Sequence, residues 1–74
     1  MTLDTWIKLK YGTQAKLNDS LGLSRQQVNR WYNHQPRKFL IHIAKMSSDT
    51  NTETKDLIEM IEQRELDVKI LSKA

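Results

Sequence analysis

Side chains that can pair with base edges recur between residues 24 and 33. Arginine, glutamine and asparagine carry donors and acceptors in the geometry that guanine and adenine present in the major groove of DNA. If this stretch is helical, these side chains lie on one outward-facing arc, and we expect them to read bases. The predicted base-reading residues are Ser24, Arg25, Gln26, Asn29 and Arg30.

A second set of polar and basic residues flanks this arc, where the DNA backbone would pass. Lysine, arginine, glutamine and asparagine are side chains that donate hydrogen bonds to phosphate oxygens. Gln27 is explained equally well as part of a capping box, because it follows Ser24 by three residues. The predicted phosphate contacts are Gln14, Lys16, Gln27, Asn33, Arg37 and Lys38.

Charge is distributed unevenly along the chain. Residues 1–46 hold eight lysines and arginines against two aspartates, a balance of +6, and residues 47–74 hold four against seven acidic residues, a balance of −3. A basic part is expected to approach phosphates, whereas an acidic part is repelled by them and should point away. An ordinary solvated surface is the alternative explanation of the same imbalance.

Size and composition argue against several classes of protein. A chain of 74 residues forms one domain and is too small for a deep catalytic cleft. There is no cysteine, His34 and His42 have no carboxylate at ligand spacing, and no catalytic set has a local signature. We therefore expect no enzyme activity, no metal, no cofactor and no small-molecule ligand. We also expect a cytoplasmic protein without a membrane segment, because neither a long apolar run nor a secretion signal is present.

Helices are the elements predicted to position these side chains. Apolar spacing, glycines and caps predict helices over residues 3–11, 14–21, 24–33 and 36–47, with Gly12 and Gly22 at helix ends. Trp6, Trp31 and Phe39 have the spacing of core residues rather than of base-stacking residues. The residues predicted to pack the second and third helices together are Leu17, Leu21, Leu23, Val28 and Trp31.

The C-terminal part leaves two alternatives open. Residues 47–52 are predicted to form a linker, and Thr50 with Glu53 matches a capping box that would start a further helix. Leu66 and Ile70 do not share the apolar face of that helix, so it either has two apolar faces or ends near residue 64 and gives way to a short strand. Both alternatives expose apolar groups that a second copy could bury. The predicted dimer residues are Leu57, Ile61, Leu66, Val68, Ile70 and Leu71.

Residues 13–33 resemble the helix-turn-helix of the Cro and phage-repressor family. Gln14 stands where the family has a glutamine that contacts a phosphate, and Gly22 corresponds to its turn glycine. Val28 and Trp31 correspond to buried positions of its second helix. Asn18 departs from the pattern, because the family has a small residue there, generally alanine.

The resemblance implies an all-α fold of four to five helices, similar to lambda repressor and Cro, with a C-terminal tail that is helical or partly strand. It implies a DNA-binding core over residues 1–47. No specific resemblance extends beyond residue 47, and dimerisation through residues 48–74 is expected from the apolar groups described above. The expected function is a homodimeric repressor, suited to a phage or mobile element, whose residues 24–33 enter the major groove of a palindromic operator. An excisionase or other DNA-bending protein, an antitoxin-type regulator and a helical protein-interaction module without DNA activity are the alternatives.

Overall fold

Five α-helices and one 3₁₀ helix follow one another in a computed structural model that describes residues 1–73. No β-strand occurs among these residues, so the chain is all-α, and the predicted strand alternative near residue 66 is wrong. The elements are α1 (Leu3–Tyr11), α2 (Gln14–Leu21), α3 (Arg25–His34), the 3₁₀ helix (Pro36–His42), α4 (Ile43–Thr50) and α5 (Thr54–Lys73).

Hydroxyl side chains cap the first three helices. The oxygens of Thr2, Thr13 and Ser24 each accept a hydrogen bond from the backbone N–H three residues on, at 3.2, 3.3 and 3.1 Å. Each bond satisfies a donor that has no partner inside the helix, and this defines where the helix starts. The predicted bounds of α1 and α2 are confirmed, and α3 begins directly after its Ser24 cap.

Gly22 closes α2 in the left-handed conformation, with φ 67° and ψ 29°. A side chain at this φ is strained, so glycine is the residue that reverses the chain here at low cost. The backbone N–H of Leu23 donates to the carbonyl of Asn18 at 3.0 Å and completes the helix end. The turn between α2 and α3 therefore consists of Gly22, Leu23 and Ser24.

The apolar stretch after Pro36 is a 3₁₀ helix and not the start of the single helix predicted over 36–47. Pro36 has no backbone N–H to donate and fits the first position of a helix, where it is buried. A 3₁₀ helix has three residues per turn, so residues three apart share a face. Phe39 is accordingly fully buried beside Pro36, whereas Ile41 points outward and is 70% exposed.

The predicted linker over residues 47–52 is also corrected, because α4 continues to Thr50. The Thr50 hydroxyl donates to the carbonyl of Met46 at 2.7 Å, within its own helix, and so does not cap the next one. The reversal falls instead at Asn51, which adopts the left-handed conformation with φ 53°. Asparagine tolerates this conformation better than most residues.

Helix α5 supplies part of the only core found among the described residues. Leu57, Met60 and Ile61 are buried against the remainder of the chain. Leu57 and Ile61 are therefore core residues, and their assignment to a dimer surface is corrected. The proposed division at residue 47 falls inside α4, so both parts of the chain share one core. Trp6, Trp31 and Phe39 belong to this core, as predicted.

Candidate nucleic-acid interface

Helix α3 has one apolar side and one polar side. Val28 and Trp31 are buried in the core, where the rings of Trp31 and Phe39 meet edge to face with centroids 5.6 Å apart. The other α3 residues between Arg25 and Arg30 are exposed to solvent. The five predicted base-reading residues are all exposed: Ser24, Arg25, Gln26, Asn29 and Arg30. All five are therefore accessible, four of them on α3 and Ser24 at its N-cap.

A shallow groove of about 390 Å³ lies between α3 and the 3₁₀ helix. Gln26 and Arg30 of the predicted reading set line one wall, and Lys38 of the predicted phosphate set lines the other. Ile41 also borders this groove and is 70% exposed. The sequence pattern did not single out Ile41, which lies within an apolar run predicted to be helical. An exposed apolar side chain at this place is suited to contact a thymine methyl group.

Four of the six predicted phosphate contacts are exposed and make no side-chain hydrogen bond among the described residues. Gln14 and Lys16 are exposed in the first turn of α2, and Gln14 shares a small groove with Tyr32 at the far end of α3. Lys38 and Gln27 are exposed beside the groove between α3 and the 3₁₀ helix. The capping interpretation of Gln27 is supported in part, because its backbone N–H donates to the Ser24 hydroxyl. Its side chain makes no hydrogen bond to Ser24 in the part of the chain described.

The side chains of the remaining two predicted phosphate contacts, Arg37 and Asn33, form hydrogen bonds to other residues of the chain. Arg37 forms two hydrogen bonds to the carboxylate of Glu65 on α5, at 3.0 and 3.4 Å. These bonds raise the pKa of Arg37 and lower the pKa of Glu65. The side chain of Asn33 bonds to Asn29 and to Arg64. Phosphate would have to compete with these partners at Arg37 and Asn33.

Arg64 of α5 contacts the end of α3 at three points. Its Nε donates to the carbonyl of Tyr32 at 2.9 Å, and its Nη2 donates to Oδ1 of Asn33 at 3.4 Å. Its guanidinium also lies 4.0 Å from the centre of the Tyr32 ring. Burial raises the pKa of the Tyr32 hydroxyl, and the positive charge of Arg64 opposes that shift. Sequence reasoning missed Arg64, since nothing local marks a residue that acts across 31 positions.

Asn18, the position that departs from the repressor pattern, faces the core between α2 and the following turn. Asn18 is 6% exposed, and its Oδ1 has no hydrogen-bond partner within the described structure. An unpaired buried carbonyl costs free energy, because water can no longer bond to it. The larger side chain is therefore accommodated inward, at a cost in stability.

The apolar residues near the end of α5 differ in their surroundings. Leu66 and Ile70 point away from the core and are 53% and 66% exposed. Leu71 is also 66% exposed. Val68 is half-buried and lines a groove with Pro36 and Ile41. Of the six predicted dimer residues, these four remain on or near the surface.

The remaining features define a small all-α protein with a polar helix face. The part of the chain that is described contains no group of three or more potential metal ligands, and none of its helices is long and apolar enough to cross a membrane. His42 packs beside Trp31, with ring centroids 5.8 Å apart.

Comparison with protein-family models, curated proteins and solved structures finds no match for this chain.

Proposed function

We propose that this chain is a sequence-specific DNA-binding protein that acts as a Cro-like transcriptional repressor. In this proposal α2, the turn at Gly22 and α3 form a helix-turn-helix, and α3 enters the major groove. The observation that carries the proposal is the exposed polar face of α3, opposite a side that Val28 and Trp31 anchor in the core. A rigid helix with its polar residues on one face is suited to present several side chains to base edges together.

Arg25 and Gln26 are proposed as the main base-reading residues. They lie in the first turn of α3, the part of a recognition helix that reaches furthest into the groove. An arginine can pair with both acceptors of guanine, and a glutamine with the donor and acceptor of adenine. Each such pair contributes about 1–3 kcal/mol of discrimination against a wrong base. Ser24, Asn29 and Arg30 complete the proposed reading set.

The backbone contacts are proposed to come from the residues beside this face. Lys38 and Lys16 supply positive charge, and Gln14 supplies a hydrogen-bond donor near the far end of α3. Contacts of this kind orient the protein on the duplex and carry no sequence information themselves. They also predict that affinity falls as salt concentration rises, because bound phosphates release counterions.

A dimer is proposed because one recognition helix covers only half of an operator. Leu66, Ile70 and Leu71 are the exposed apolar residues that a second copy would bury. Two copies of α3 would then occupy successive major grooves, roughly 34 Å apart. Repression would follow from occupancy of the operator in the cytoplasm.

Selection of bound duplexes from a random pool tests this function directly. We expect an enriched palindrome, whose two half-sites report on both specificity and dimer symmetry. Enrichment of a single asymmetric site would count against the dimer. Affinity that shows no preference among duplexes, or that does not fall between low and moderate salt, would overturn the proposal. Measurement of DNA bending on the selected site separates a repressor from an architectural protein.

A further inference from the structure

Two grooves adjoin along the 3₁₀ helix. The groove between α3 and the 3₁₀ helix has Gln35, Lys38 and Ile41 in its lining. The same three residues line a second groove of about 470 Å³, which lies between the 3₁₀ helix and α5. This second groove continues onto α5 with Glu65 and Lys69. Helix α5 is therefore the next element beyond Lys38 on this surface.

Two cations of the second groove share one carboxylate. Nε of Arg37 lies 3.0 Å from Oε2 of Glu65, and Nζ of Lys69 lies 3.7 Å from Oε1. The side chains of Arg37 and Lys69 are 67% and 66% exposed, whereas that of Glu65 is 22% exposed. Lys38 adds a third cation to the same groove. A second carboxylate, that of Glu62, also acts on Arg37 through its charge, so the local balance is positive.

Other acidic residues near the start of α5 line a different groove. Asp56 and Glu59, with Glu53 just before the helix, line the groove between α1 and α5. Among the described residues, this groove shares no lining residue with the one that contains Lys69. The negative balance of residues 47–74 therefore does not describe the surface that α5 presents beside the 3₁₀ helix.

We infer that Lys69 is a phosphate contact, so that the DNA interface extends past the helix-turn-helix onto α5. The inference rests on the proposed DNA-binding function and adds a binding residue to it. A phosphate that reaches the exposed Arg37 side chain lies beside the carboxylate that Lys69 also binds. The Lys69 ammonium has three donors on a flexible stem, so it can bind this phosphate as well as Glu65. One DNA strand then passes Lys38, Arg37 and Lys69.

The proposed dimer is compatible with this contact. Lys69 follows Glu65 by four residues, so the two side chains lie on the same side of α5. Leu66 and Ile70 are also four residues apart, and each lies about 100° further round the helix. A second copy that covers Leu66 and Ile70 therefore does not need to cover Lys69.

A salt series with a short duplex of scrambled sequence tests this contact in the full chain. Lys69→Gln should weaken binding about two- to fivefold at low salt and reduce the slope of log affinity against log salt by about one ion. Lys69→Arg keeps the charge and should keep the slope. Lys55→Gln is the matched control, since it removes the same charge from an exposed position in the first turn of α5 and should leave the slope unchanged.

The same substitution in a Glu65→Gln background separates a phosphate contact from an indirect role. If Lys69 only neutralised Glu65, Lys69→Gln would have no effect once that carboxylate is gone. We expect the slope to fall by about one ion in this background too. On a selected operator, ethylation of one phosphate should weaken binding of the parent protein but not of Lys69→Gln. Circular dichroism and sedimentation velocity establish that fold and oligomeric state are unchanged.

The outcomes distinguish the role of Lys69 from the DNA-binding function. A folded Lys69→Gln with the parent slope would overturn the contact and leave the function standing. The same conclusion follows if Lys55→Gln reduces the slope equally, or if the effect disappears in the Glu65→Gln background. A parent protein whose binding to duplex DNA does not fall with salt would overturn the function, and the role of Lys69 with it.

Discussion

Arg37 on the 3₁₀ helix holds the carboxylate of Glu65 on α5, with Nε 3.0 Å from Oε2 and Nη2 3.4 Å from Oε1. Lys69 lies on the other side of the same carboxylate, at 3.7 Å. The Arg37 side chain is nevertheless 67% exposed, so a phosphate can reach it from solvent. This pair joins a basic residue of the proposed interface to the acidic C-terminal helix.

Glu65→Gln should increase affinity for duplex DNA of any sequence. The change removes a competing anion and leaves Arg37 free to contact a phosphate, so we expect about two- to fivefold tighter binding at low salt. The dependence of log affinity on log salt should steepen by about one ion. Fluorescence anisotropy over a salt series measures both quantities.

Glu59→Gln is the matched control for Glu65→Gln, because it removes the same charge from an exposed position of α5 that lines a different groove. An equal gain in DNA affinity from both variants would show that the loss of general electrostatic repulsion, and not the release of Arg37, causes the tighter binding.

The contact between α2 and α4 should make stability depend on pH. The Ser20 hydroxyl donates to Asp49 at 2.7 Å, and this bond, with the charge of Lys45, lowers the pKa of Asp49. A group whose pKa is lower in the folded state stabilises the fold above its unfolded pKa and loses that contribution as pH falls through its folded pKa. Urea unfolding of the parent protein, the two single variants and the double variant gives the coupling free energy between Ser20→Ala and Asp49→Asn. This coupling should therefore be present at neutral pH and vanish below the ordinary pKa range of aspartate. A coupling that is constant with pH would contradict this assignment.

Substitutions on and beside α3 should affect binding in two distinct ways. Arg25→Ala or Gln26→Ala should each lose about 1–3 kcal/mol of preference for the selected operator and keep weak binding to other DNA. Lys38→Ala should weaken binding to all duplexes alike and reduce the salt dependence by about one ion. Competition binding with operator and scrambled duplexes distinguishes these results. Operator binding by Arg25→Ala at the parent strength would remove Arg25 from the reading set.

Ile70→Asp should separate dimerisation from folding. Ile70 is 66% exposed on the outward face of α5, so a charge there should leave the monomer folded and repel a second copy. Affinity for the full palindrome should fall about a hundredfold or more, because the second half-site no longer adds to the first. Sedimentation velocity and operator titration measure the two effects.

Leu9→Asp is the control for this surface, since Leu9 is equally exposed but lies on α1. It should leave both oligomeric state and affinity unchanged.

Leu57→Ala tests the corrected role of Leu57, and should cost about 2–5 kcal/mol of stability because the side chain is fully buried. Loss of dimer without loss of stability in Leu57→Ala would contradict its place in the core.

Asn18→Ala should stabilise the fold. The substitution removes a buried carbonyl without a partner and gains helix propensity, at the cost of a small loss of packing. We expect a net gain of about 1 kcal/mol in urea unfolding. Asn29→Ala is the comparison, because it changes the same residue type on an exposed face of a helix, where the loss of the hydrogen bond from Asn33 offsets the propensity gain. A lower stability for Asn18→Ala would mean that packing of the amide outweighs its missing hydrogen bond.

Local signals in the sequence were sufficient for the first three helices. The caps at Thr2, Thr13 and Ser24 and the left-handed Gly22 act within three or four residues, so residue type and spacing define these helix ends. The separation of α3 into a buried side at Val28 and Trp31 and an exposed polar side follows from helical periodicity alone. The exposed candidate reading face was therefore predictable from the chain.

The middle and the C-terminal end depended on contacts that no local pattern specifies. Spacing predicted Phe39 as a core residue, but the exposure of Ile41, in the same apolar run, depends on the 3₁₀ geometry and on packing. Leu57 and Ile61 have the same residue types as Leu66 and Ile70, and their burial depends on which part of α5 lies over the other helices.

The sequence by itself therefore determined the bounds of α1 and α2 and the polar face of α3, because caps and periodicity act over one or two helical turns. Only the tertiary structure decided that Glu65 pairs with Arg37 and that Arg64 reaches Asn33. These pairs lie 28 and 31 residues apart in sequence, and they meet because α5 packs across the 3₁₀ helix and the end of α3.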